Sequence, residues 1–377
     1  MGSYSEEPEF KTLTIKPLHP TFGAEVEGVN FQNLSDEQFQ EILLAMAKYG
    51  VCVFRNTGLD DASHIEFSKR IGDLDTMRRY MTDGRKPRYG FYELFDAGNI
   101  DDQGGVLDPD APRAHYGKVR HCQYTFVPIS PNLSYLGNMS PDTRHFLTRT
   151  DIDVRHCDQG NALFHVDSSF NPRRASFSLL RAVEIPPPGN GGNTDFADSR
   201  TAWDTLDPAL QRELLEKDHV VHHSIAQSRK LGSPEFFKDL DPTNAGRMSR
   251  HRLIQVHEPS GRRNIYIAAH SHHVEGIPKP ESDALIKKLL DHVTQKHNTV
   301  SVEWKQPSDM IIWDNRATLH KANGGAFEGR YRRDLRRTTV HDDSSTAWGL
   351  NPVEEDTDKW VVNHAATKSA AMTRVQG

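Results

Sequence analysis

The chain reads as a single α/β domain with a mainly β core and helices packed around it. Three observations lead there. Short runs such as Val51-Cys52-Val53-Phe54, Ala175-Ser176-Phe177-Ser178-Leu179-Leu180 and Met310-Ile311-Ile312-Trp313 have strand length and strand composition. Between the short strands lie a few stretches whose apolar residues recur at helical spacing. The residues able to do chemistry run from position 165 to position 337 and interlock along the sequence. That interlocking favours one domain over the two that 377 residues could hold.

The elements follow in order. Ser35-Asp36-Glu37-Gln38 has the form of a capping box, Phe39, Ile42, Leu43 and Met46 keep helical spacing behind it, and Gly50 closes the helix. Val51–Phe54 is then a short buried strand. The spacing predicts a second helix from Asp61 to Ile71, anchored by Ile65 and Phe67. A third is expected over about Arg200 to Glu216, and a fourth from Glu281 to His297 with Leu285, Leu289 and Val293 inward. Pro186-Pro187-Pro188-Gly189-Asn190-Gly191-Gly192-Asn193 is a tight turn that returns the chain to a strand at Thr194. No internal repeat or low-complexity segment interrupts this order.

Composition narrows the class of function. No apolar run approaches membrane-spanning length, and the N-terminus lacks an apolar secretory core. Met1-Gly2-Ser3-Tyr4-Ser5 resembles a myristoylation start, but Glu6 stands where that signal needs Ser or Thr, so no lipid anchor is expected. Cys52, Cys122 and Cys157 form neither a C-x-x-C pair nor an even framework, which fits a cytoplasmic, reducing setting. A formal charge of −6 gives no footprint for nucleic acid. A homo-oligomer is left open.

The chemistry concentrates in His165-Val166-Asp167 and, far downstream, Trp313-Asp314-Asn315-Arg316-Ala317-Thr318-Leu319-His320. In a strand, residues two apart share a side, so His165 and Asp167 would project together. Alone, an H-x-D pair more often caps a turn. With His320 it becomes two imidazoles and a carboxylate, a set that can hold iron(II) by one face and leave the other open. Arg333 and Arg337 are four apart and would share a strand face with Leu335, while Arg332 and Arg336 point the other way. Each guanidinium could clamp a carboxylate, although a run of this kind is more often a solvated face. Trp313 reads as core packing behind His320, and Asp314 and Asn315 as groups that orient the turn. The clusters His222-His223 and His270-Ser271-His272-His273 read as hydrogen-bonded or solvated rather than ligating.

The order H-x-D, G-G-x-T, W-D-N-R-x-x-x-H, R-x-x-x-R resembles the iron(II)/2-oxoglutarate-dependent dioxygenases, in the branch of taurine dioxygenase and 2,4-dichlorophenoxyacetate dioxygenase. Pro20–Val26, Phe95–Asp101, His165–Phe170 and His270–Gly276 look like the second of these. The resemblance spans about residues 12–345, leaving 1–11 as an N-terminal extension and 346–377 as a tail. It implies a double-stranded β-helix, or jelly roll, with one sheet covered by helices. It implies Fe(II) on His165, Asp167 and His320, with 2-oxoglutarate and O2 as co-substrates. Arg333, helped by Thr194, would hold the distal carboxylate of 2-oxoglutarate. Arg337 would grip the anionic group of a small-molecule substrate, or else pair with an internal carboxylate. Asn161 would hydrogen-bond substrate or finish a turn.

Residues 119–159 exceed the family pattern. They read either as a lid over the substrate or as a non-native insertion such as translated intron sequence, since Val119-Arg120 and Gln159 can be encoded at splice-site boundaries. Two other function classes stay open on the same barrel: a zinc-dependent hydrolase or isomerase, and a catalytically silent binding protein. The primary substrate, and the choice among hydroxylation, cleavage, desaturation and ring closure, are not legible in the residues.

Overall fold

The computed structural model describes residues 9–80, 86–101, 103–108, 163–243 and 248–353. Asn161 and the segment 119–159 lie outside them. The strands are β1 (Thr14–Pro17), β2 (Ala24–Glu27), β3 (Val51–Phe54), β4 (Phe95–Asp96), β5 (Ala175–Glu184), β6 (Thr194–Asp198), β7 (Val220–His223), β8 (Ser249–Arg252), β9 (Ile254–His257), β10 (Arg262–Ile265), β11 (Ser271–Val274), β12 (Thr299–Val302), β13 (Met310–Asp314), β14 (Thr318–Ala322) and β15 (Asp334–His341). They form a seven-stranded sheet in the order β1-β2-β3-β13-β5-β15-β4 and a three-stranded sheet β12-β6-β14. A second three-stranded sheet, β11-β7-β8, and the pair β10-β9 complete the set. The expected jelly roll is present as facing sheets with flanking helices.

The apolar runs explain the layering. Along β13, Ile311 and Trp313 point into the space between the seven-stranded sheet and β12-β6-β14, where they meet Val53, Leu180, Phe196 and Leu335. Met310 and Ile312 point to the other face and pack with Leu179, Phe54, Ile42 and Met46. The run is apolar throughout because both of its faces are buried, and period-two alternation sorts its residues between two cores. A third core lies outside the small sheet, where Leu319 and Ala197 meet Trp203, Leu214 and Leu289.

The helices are α1 (Asp36–Tyr49), α2 (Asp61–Ile71), α3 (Ser199–Asp204), α4 (Pro208–Lys217), α5 (Ile225–Gly232) and α6 (Lys279–Val293). None is long and apolar enough to cross a membrane. α2 has the expected bounds, and its cap is a reciprocal pair between Asp60 and Ser63. At α1 the expected box is half made. Ser35 accepts from the Gln38 amide, but the Gln38 side chain donates instead to the Gly28 carbonyl at 2.9 Å. The single helix expected over residues 200–216 is two. Pro208 has no N–H to continue α3, whereas at the first turn of α4 that loss costs nothing, and Asp207 caps the new start. α6 begins earlier and ends earlier than its spacing suggested, with Leu289 and Val293 fully inward.

Gly50 closes α1 in the left-handed region at φ 69°, and a Cβ there would lie 2.6 Å from Arg200 Nη2 and 3.0 Å from Thr318 Cγ2. Gly50→Ala is therefore expected to lower the unfolding free energy by more than about 1 kcal/mol. A urea denaturation midpoint equal to that of the wild type would contradict this.

Candidate metal centre and anion clamps

His165 and His320 meet through the backbone. His320 lies in β14, and His165 pairs with it in a single antiparallel bridge. The His165 amide donates to the His320 carbonyl at 3.0 Å, and the His320 amide donates back at 2.8 Å. The rings follow to a centroid separation of 4.2 Å. His165 Nδ1 donates to the Leu163 carbonyl at 2.8 Å, which leaves Nε2 carrying the lone pair. His320 Nδ1 is buried without a hydrogen-bond partner. Burial pushes both imidazoles down toward the neutral form that binds metals, against the opposing pull of Asp167.

Asp167 reaches the same point by a different route from the one its spacing suggested. The chain is not extended there: Ser168 has φ 56°, and the Asn171 amide closes a turn on the Ser168 carbonyl at 3.0 Å. The Asp167 amide donates to Asn315 Oδ1 at 3.0 Å, and that bond fixes the turn. Of the carboxylate oxygens, Oδ2 accepts from the Ser178 hydroxyl and Oδ1 from Arg337 Nη1, each at 2.7 Å. Burial would raise this carboxyl, but Arg337, His320 and His165 outweigh it and hold it well below the usual range. One donor atom from each of His165, Asp167 and His320 lies within 4.8 Å of the others. Two neutral imidazoles and one ionised carboxylate form a donor set that fits iron(II).

Arg333 precedes β15 and is buried. Its Nη2 donates to the Gly192 carbonyl at 3.1 Å and its Nη1 to the Ala97 carbonyl at 3.4 Å. Among the described residues no carboxylate forms an ion pair with it, and burial pushes it down to about 10, opposed by Glu328. Thr194 begins β6 two residues after Gly192, and its hydroxyl accepts from Trp304 Nε1 at 3.3 Å. Arg333, Trp304 and the turn of residues 186–193 line a cavity of about 210 Å³.

Arg337 sits opposite Leu180 on β5 and Phe95 on β4, so it shares their side of the sheet. Its guanidinium carbon lies 4.6 Å from the centre of the Phe95 ring. It pairs with Asp167, an internal carboxylate, and its Nε is buried without a partner. Arg336 points away toward Asp61 and Asp334, as alternation requires.

Trp313 is buried with its ring 4.5 Å from that of His320. Its Nε1 donates to Asn315 Oδ1, while Asn315 Nδ2 donates to the Ser178 hydroxyl and the Ser176 carbonyl. All the hydrogen-bonding capacity of this side-chain amide is thus spent on tying Asp167 to β5 and β13. Ser178 is a functional residue that its local sequence marks only as a hydroxyl at an inward position of a buried strand. His270 was set aside, yet its ring lies 5.8 Å from that of His165. His222, His272 and His273 do form a separate hydrogen-bonded cluster.

A model of the family described as taurine catabolism dioxygenase TauD, TfdA matches residues 14–144 and 137–339. The chain belongs to this family. It is 31% identical over 335 residues to an alpha-ketoglutarate-dependent 2,4-dichlorophenoxyacetate dioxygenase of Cupriavidus pinatubonensis, covering 88% of this chain and 99% of that enzyme. It is 26% identical to an (S)-phenoxypropionate/alpha-ketoglutarate-dioxygenase of Sphingobium herbicidovorans, covering 82% and 88%. Among solved structures it resembles AAD-2 in complex with Mn(II) and N-oxalylglycine, with a TM-score of 0.64 and 27% identity, covering 92% of this chain and all of that one. Membership of the TauD, TfdA family makes the protein an oxidoreductase of the dioxygenase class.

Around the site several further histidines are buried. Burial pushes His251 and His64 each down to about 3, and His270 in the same direction. A histidine kept neutral in the fold but free to protonate near 6.5 when unfolded makes the unfolded state the better proton acceptor. The stability these groups contribute is intact above about pH 6.5 and is lost as pH falls toward about 3. The urea midpoint is expected to fall between pH 7 and pH 5, and more shallowly in His251→Phe. Identical slopes in the two proteins would contradict this origin.

Proposed function

We propose that the protein is an iron(II)- and 2-oxoglutarate-dependent dioxygenase that oxidises a C–H bond of a small anionic, carboxylate-bearing substrate. His165, Asp167 and His320 would hold the metal, Arg333 and Thr194 the distal carboxylate of 2-oxoglutarate, and Arg337 the substrate's anion. The observation that carries this reading is Arg333. A buried guanidinium whose hydrogen bonds go to carbonyls, with no ion pair among the described residues, is undercompensated, and a dicarboxylate reaching from the metal would supply the missing anion. A hydrolase or isomerase on the same three ligands has no use for it.

Bound to the triad, iron(II) supplies the oxidation, in which dioxygen and 2-oxoglutarate yield oxidised product, succinate and CO2. The chain's own residues bind and orient. Arg333 and Thr194 offer N–H and O–H donors that fix one end of the co-substrate and so set its reach. Ser178 and Asn315 hold the plane of the Asp167 carboxylate. Trp313 and Phe196 flank the His320 ring and limit its rotation and its contact with water. The relatives' aryloxy-acid substrates and the position of Arg337 beside Asp167 together support an anionic substrate. We also assign the protein to the cytoplasm, on its cysteine pattern.

Anaerobic loading with iron(II) and 2-oxoglutarate, followed by air and a panel of small carboxylates and sulfonates, should give succinate that depends on one substrate class. His320→Ala should abolish both metal binding and succinate. Arg333→Ala should raise the KM for 2-oxoglutarate about 10- to 150-fold, the loss of one or two charge-assisted hydrogen bonds. Failure of the wild type to bind 2-oxoglutarate with fresh iron(II) would end this reading.

A further inference from the structure

We infer that Arg337 couples the substrate's anion site to the metal site through Asp167, so that anion and metal each raise the other's affinity. This rests on the ligand and clamp roles proposed above and adds a regulatory link between them.

Three observations carry it. First, Arg337 Nη1 donates to Asp167 Oδ1 at 2.7 Å, so one edge of the guanidinium is spent on a metal-ligand candidate. Second, Arg337 Nε is buried with no partner, which leaves donor capacity on the same group. Third, the carboxylate cannot swing away from a change at Arg337. Its other oxygen is held by Ser178 at 2.7 Å, Ser178 is held by Asn315 at 3.0 Å, and the Asp167 amide is held by Asn315. Phe95 covers one face of the guanidinium and limits its escape from the slot.

The sign follows from charge. A divalent cation beside Asp167 shares that carboxylate with a guanidinium, and the two cations repel. An anion on the free donors of Arg337 neutralises the guanidinium and relaxes its claim on Asp167 Oδ1. Metal affinity then rises, and by thermodynamic reciprocity bound metal raises anion affinity by the same factor. Arg337 is in this respect a positioning residue for Asp167 as well as a clamp.

The experiment measures Mn(II) affinity of the full chain by the electron paramagnetic resonance of free Mn(II). Saturating 2-oxoglutarate is present throughout, so that Arg333 is occupied. Phenoxyacetate is the anionic probe, and 2-phenoxyethanol is its neutral counterpart. Phenoxyacetate is expected to tighten Mn(II) binding about 5- to 150-fold, the usual span for coupled sites, and 2-phenoxyethanol to leave it unchanged. The tightening should vanish in Arg337→Gln and shrink in Arg337→Lys, with thermal melting reporting that each variant is folded. If Arg337→Gln does not fold, Arg337→Lys alone decides. Mn(II) affinity unmoved by phenoxyacetate, or a tightening that persists undiminished in the variants, overturns the coupling while leaving the dioxygenase reading intact. Failure of the wild type to bind Mn(II) at all overturns both.

Discussion

The site depends on one backbone pairing. His165 and His320 exchange two amide–carbonyl hydrogen bonds, which sets their α-carbons about 5.5 Å apart, as in any hydrogen-bonded antiparallel pair. The imidazoles inherit that spacing, so their convergence is a property of the fold and requires no ligand. Asp167 cannot use the same ladder, because the chain turns at Ser168. Asn315 supplies the substitute, accepting from the Asp167 amide and from Trp313 while donating to β5. One backbone bridge to β14 and one saturated amide together give the rigidity that a ligand set needs.

The treatment of buried charge separates scaffold from site. Arg174 pairs with Asp342, Arg200 with Asp198, and Arg316 with both Asp314 and Asp342. His257 Nε2 donates to Asp314 Oδ2 in the same network, beneath the turn that leads to His320. These groups are compensated and hold β13, β14 and the chain after β15 in register. Arg333 is equally buried and has no such partner among the described residues. The other deep arginines are paired and this one faces carbonyls, which is the contrast that supports its proposed role as an anion clamp.

Much of this was legible in local pattern. Met310–Trp313 was legible as a strand, and the four-residue spacing of Arg333 and Arg337 placed Arg336 on the opposite face, where it meets Asp61. Gly50 as a helix terminator and the bounds of α2 were equally readable. What failed was whatever depends on distant partners. The H-x-D pair is a bridge followed by a turn because of Asn315, nearly 150 residues away, and no local period encodes that. Gln38 leaves its capping role for Gly28. Ser178 gains importance only from its hydrogen bond to Asp167, which lies in a turn outside the sheet. Pro208, by contrast, is a local signal, and it splits the third helix.

The two arginines show how one residue type can serve two anions without confusion. They lie four positions apart, Arg333 just before β15 and Arg337 within it, yet their surroundings give them different effective charge. Arg333 hydrogen-bonds only to neutral carbonyls and has no ion pair among the described residues, so a dianion gains most there. Arg337 already shares its charge with Asp167, so its residual attraction is smaller and depends on what else binds that carboxylate. On the proposed roles, 2-oxoglutarate is drawn to the bare guanidinium, while the substrate's single negative charge suits the partly compensated one. Specificity between the two anions is then set less by the arginines than by Asp167, which a local reading of the sequence treats only as a metal ligand.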